Sequence, residues 1–102
     1  MKHNKEVLIT LLYLTKDLIC LYENNPYITA GLFRVYMSNK RYNKECDYLV
    51  DKIKDRLGDS LTPDEWLYKQ LGFKPKPLLV RQWRGQWIDM LVAEIEEHGR
   101  LK

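Results

Sequence analysis

Cysteine is scarce in this chain, two residues in 102, which excludes a disulfide-held scaffold. Cys20 and Cys46 each fall on the apolar face of a helical pattern, as expected for a reduced protein of the cytoplasm. Long apolar runs are lacking as well. The stretch from Val7 to Leu14 is interrupted by Thr10 and followed by Thr15, Lys16 and Asp17, leaving it far short of the roughly 20 residues that cross a bilayer. It does not end in a small-residue cleavage site either, because Cys20-Leu21-Tyr22-Glu23 is bulky and acidic. The expectation is a cytoplasmic protein with no membrane partner.

Excess charge is missing too. Seventeen cations stand against 14 anions, a net +3, whereas a dedicated nucleic-acid binder is strongly basic. Histidine is limited to His3 and His98, at opposite ends of the chain and far from both cysteines, which gives no metal-ligand spacing. No nucleophile elbow and no phosphate loop is present. The sequence therefore points away from an enzyme, a cofactor and a metal site. Alternating strand patterns, internal repeats and low-complexity tracts are absent, which leaves helices as the building material.

What is present is helical periodicity. From Lys5 to Tyr22, Val7, Leu8, Leu11, Leu14, Leu18 and Leu21 form a stripe, and Ile9, Leu12 and Ile19 form a second apolar face that needs its own cover. A homodimer through this first helix is one way to supply it. Asn24-Asn25-Pro26 ends the segment, and a shorter helix over Tyr27–Ser38 is predicted next. Cys46, Leu49, Val50, Ile53 and Leu57 then mark a helix over Tyr42–Leu57, stopped at Gly58. Asp47, Asp51, Asp55 and Asp59 recur along it as an acidic ridge. A straight ridge cannot wrap a calcium ion, so it reads as a solvated face.

The clearest boundary follows. Thr62 can cap a helix, Pro63 suits its first position, Glu65 can close a capping box, and Leu61 with Trp66 can form a hydrophobic staple. This helix should end near Gly72, after which Pro75 and Pro77 stiffen a connector. A last helix is predicted over Leu79–His98, with Val80, Arg84, Trp87, Leu91 and Ile95 on one face and Trp83, Ile88 and Val92 beside it. Its cations Arg81 and Arg84 come first and its acids Asp89, Glu94, Glu96 and Glu97 last, against the helix dipole. With 45% apolar residues, the chain should form one all-α domain over residues 1–102, a small bundle of four to five helices.

From Trp66 to Ile88 the chain holds all three tryptophans and five cations and no carboxylate. Tryptophan and arginine are the side chains most frequent at interface hot spots, so Arg81, Arg84, Trp83 and Trp87 are the candidate anchors for a protein partner. Two plainer readings compete: the arginines pair with carboxylates of the helix over Tyr42–Leu57, and the tryptophans pack in the core. A second carboxylate-free stretch, Asn24 to Lys44, sets Arg34, Lys40, Arg41 and Lys44 among Tyr27, Tyr36 and Tyr42. Cations among aromatics can stack bases and hold phosphates, so nucleic acid or a nucleotide is the alternative ligand there.

Trp66-Leu67, Arg84 and Trp87-Ile88-Asp89-Met90-Leu91, within a span from Glu45 to Glu97, resemble short helical accessory proteins of temperate tailed phages and prophages. That resemblance implies a non-enzymatic protein of the host cytoplasm that inhibits or modulates a host or phage protein. It carries over no site residue, because none is established in those proteins.

Overall fold

The computed structural model describes residues 4–21, with backbone alone from 17 to 21, together with 42–60 and 62–101. Four helices occupy them: α1 (Lys5–Leu21), α2 (Asn43–Leu57), α3 (Pro63–Leu71) and α4 (Pro77–His98). No strand occurs among the described residues, and the protein is an all-α bundle. The helix predicted over Tyr27–Ser38 lies outside the described residues, as does Leu61 of the staple.

Three of these four helices begin at a capping side chain or a proline, while α2 follows Tyr42 with no side-chain cap. Asn4 caps α1, its Oδ1 accepting from the amides of Glu6 and Val7 at 3.0 and 3.3 Å. Thr62 caps α3, its Oγ1 accepting from the Glu65 amide at 3.1 Å, with Pro63 as the first helical residue. α4 starts at Pro77, two residues before the predicted Leu79, because a proline at the first position gives up only an amide that has no helical partner there. Gly72 and Gly99 end α3 and α4 at φ of 78° and 73°, a left-handed turn that costs glycine little.

α4 is the centre of the bundle. α1 lies antiparallel along it, with Lys5 Nζ donating to the Glu96 carbonyl at 2.9 Å and Lys16 pairing with Asp89 at 2.8 Å. Leu8, Leu11 and Leu12 of α1, Leu49 and Ile53 of α2, and Ile88, Leu91 and Ile95 of α4 are sealed together. Thr15 is buried among them and donates to the Leu11 carbonyl at 2.9 Å, so its hydroxyl is satisfied within its own helix. After Gly99 the chain turns back and inserts Leu101 into the core. The Tyr48 hydroxyl of α2 holds it there, accepting from the Leu101 amide at 2.9 Å and donating to its carbonyl at 3.2 Å.

The charge order of α4 that opposes its dipole is offset from neighbouring helices: Lys16 of α1 meets Asp89 and Arg56 of α2 meets Glu94. The second apolar face of α1 is covered in large part by this chain itself. Leu12 is fully buried and Ile9 packs against the core, which removes part of the apolar excess assigned to a homodimer contact. The side chain of Ile19 is outside the described residues.

Candidate functional site

The capped start of α3 sets the geometry of the tryptophans. It places Asp64 in the first turn, where Arg84 of α4 meets it in a bidentate pair, Nε donating to Oδ1 at 2.8 Å and Nη2 to Oδ2. With side chains only 11% and 21% exposed, this is an internal pair that ties α3 to α4. One turn further on, burial and then the Asp64 charge push the Tyr68 phenol above its ordinary value, with Arg84 opposing.

Over this pair the indoles form a ladder. Trp66 stacks on Trp83 with centroids 6.1 Å apart and planes 19° apart, and Trp83 on Trp87 at 5.9 Å and 23°. Trp87, 5% exposed, is a core residue, while Trp83 and Trp66 are half-buried. The set Arg81, Arg84, Trp83 and Trp87 is therefore not one outward patch. The structure puts Trp87 in the core and Arg84 in the internal pair, leaves Trp83 half-buried between two rings, and exposes Arg81 on the first turns of α4. The reason is position along the helix: 81, 84, 88 and 91 share one face of α4, but Arg81 sits a turn before Arg84, toward the exposed start of the helix, while Arg84, Trp87, Ile88 and Leu91 lie where the other helices cover it. Arg84 finds its carboxylate in α3 rather than in α2, which the plainer reading of the sequence favoured.

Beside the ladder is a cleft of about 250 Å³ lined by Arg56 and Leu57 of α2, Trp66 of α3, and Trp87 and Met90 of α4. Met90 stands at it 53% exposed, and Arg56 is held by Glu94. A cleft of this size falls below the roughly 300–1,000 Å³ of most small-molecule sites and suits one apolar side chain. Leu57 was legible as part of the α2 stripe, but its meeting with Arg56, Trp66, Trp87 and Met90 was not, because a cleft between three helices leaves no local spacing to find.

A second surface lies where α3 gives way to α4. Leu71, Phe73, Leu78 and Leu79 are all exposed there, among exposed Lys69, Lys74, Lys76 and Arg81. The signal available in the sequence was the position of these apolar residues against Gly72, Pro75 and Pro77, off the stripe that begins at Val80.

Of the alternative nucleic-acid or nucleotide set, Tyr42 is half-buried and Lys44 exposed at the start of α2, each with contacts of its own; Arg34, Tyr36, Lys40 and Arg41 lie outside the described residues. Asp47, Asp51, Asp55 and Asp59 are exposed along the outer side of α2 and its end. Among the described residues no group of three or more His, Cys, Asp or Glu is placed to hold a metal ion, and no helix is long and apolar enough to cross a membrane. No known protein family, characterised protein or solved structure matches the chain.

Proposed function

We propose that this is a non-enzymatic accessory protein that binds and modulates a host or phage protein in the host cytoplasm, taking one apolar side chain of that partner into the cleft between α2, α3 and α4. The observation that carries the reading is the cleft itself: about 250 Å³, walled by Trp66, Trp87 and Leu57, with Met90 exposed at its mouth. Indole walls hold an apolar anchor with large contact area, and a methionine at the opening adapts to the shape of what enters. Arg56 is engaged by Glu94, so the lining favours packing over proton transfer. The phage context comes from the resemblance of the segment Glu45 to Glu97, and the arginines singled out in the sequence leave the anchoring role to the indoles.

Affinity capture from nuclease-treated host lysate tests it. Met90→Glu places a charge at the mouth of the cleft on an exposed position, and it should cut recovery of the captured protein by at least about tenfold while helicity is unchanged. Undiminished recovery removes the cleft as the site. A catch that disappears on nuclease treatment would shift the reading to the basic, tyrosine-rich stretch that includes Tyr42 and Lys44.

A further inference from the structure

The α3–α4 elbow is a different kind of surface from the cleft. Phe73 is 62% exposed, Leu78 61% and Leu79 54%, so these side chains protrude rather than line a groove. Around them stand the exposed cations Lys69, Lys74, Lys76 and Arg81, Lys74 lying over the Tyr68 ring, and the segment from Trp66 to Ile88 contributes no carboxylate. Asp64 is turned inward to Arg84, Glu65 is exposed at the far, first-turn end of α3, and the acids of α4 begin only at Asp89, about three helical turns beyond Leu78. The elbow is also stiff. Gly72 closes α3 by donating to the Tyr68 carbonyl at 2.8 Å, Pro77 opens α4, and buried Val80 anchors the first turn, which leaves Leu78 and Leu79 rotated by about 100° per residue away from the buried stripe.

We propose that this elbow docks on an anionic phospholipid surface, independently of the protein partner at the cleft. A protruding apolar tip inside a collar of cations matches a flat, deformable interface with negative headgroups, because the tip enters the headgroup and acyl boundary while lysine stems lie along it with their ammonium groups in water. A protein could cover the same tip only by offering a concave apolar site rimmed with acids, a more demanding complement. The expectation of no membrane partner rested on the lack of a crossing segment. Docking of this kind needs none: the tip goes in by about 5–10 Å.

Co-sedimentation of the full chain with vesicles provides the test. Phosphatidylcholine vesicles containing about one-third phosphatidylglycerol should bind the protein and pure phosphatidylcholine should not, since the cations need a negative surface. Salt at about 1 M, where the screening length falls to about 3 Å, should release it. Lys74→Gln with Lys76→Gln should weaken binding about 30-fold, roughly fivefold for each cation. Phe73→Ser with Leu78→Ser and Leu79→Ser should weaken it by about 100-fold or more with helicity retained. Met90→Glu, far from the elbow, should leave vesicle binding unchanged, which keeps failure at the cleft and failure at the elbow separately visible. No binding to anionic vesicles, equal binding to both compositions, or full binding by the lysine variant would each overturn the proposal; an acidic protein partner at the elbow would show itself through the first of these.

Discussion

The tryptophan seam and the elbow are two parts of the same helix pair, and each brings large apolar side chains together with cations. In the seam the arginine is locked to Asp64 and the rings are stacked toward the core; at the elbow Phe73, Leu78 and Leu79 stand out beside Lys74, Lys76 and Arg81. What separates them is reach. The capped first turn of α3 delivers a carboxylate opposite Arg84, while the turn that links α3 to α4 carries Lys74 and Lys76 and no carboxylate. A cation becomes part of the scaffold when the fold places an acid against it, as Asp64 is placed against Arg84, whereas Lys74 and Lys76 stand exposed on a turn that carries no acid.

The contrast can be tested most severely at Trp87. Trp87→Ala removes the inner rung of the ladder from a position 5% exposed and should cost about 3–5 kcal/mol in urea unfolding, enough to unfold a small domain with little reserve. A cost below about 1 kcal/mol would place Trp87 outside the core it is drawn in.

A smaller effect is expected at the ion pair. Arg84→Ala and Asp64→Ala should each cost about 2–3 kcal/mol, and the double variant less than their sum, with coupling of about 1 kcal/mol or more. Strict additivity in that cycle would mean that the pair does not tie α3 to α4. The consequence for function is direct: loss of partner capture in Arg84→Ala counts as evidence of contact only in a protein shown to be folded.

The smallest change belongs to the elbow. Leu78→Ser should leave the unfolding midpoint nearly untouched, within about 0.5 kcal/mol, because a side chain 61% exposed has little burial to lose. Destabilisation like that at Trp87 would show that Leu78 is covered in solution and would erase the distinction between the two regions.

Much of the helical layout was legible because its signals are local. Thr62 and Pro63 predicted the start of α3, Gly72 its end, and the spacing of Cys46, Leu49, Val50, Ile53 and Leu57 the buried face of α2. The start of α4 was less legible, since Pro77 serves a stiff connector and a first helical turn equally well. The cap at Asn4 and the return of Leu101 under Tyr48 were not singled out; the second joins residues far apart in sequence, which no periodicity encodes. The candidate site was legible only as composition. Tryptophans and arginines were in view, but their division into a sealed ladder, an internal ion pair and an exposed turn depends on how α3 crosses α4.

The amino-acid order alone determined an all-α chain, the stripes of α2 and α4, and the carboxylate-free run from Trp66 to Ile88, because helix period, capping and charge are properties of neighbours along the backbone. Tertiary structure decided which indole is sealed, that Asp64 neutralises Arg84, and that Met90 and the apolar residues of the elbow face outward. Those outcomes turn on which faces of separate helices meet, a question of distance in space that spacing along the chain does not answer.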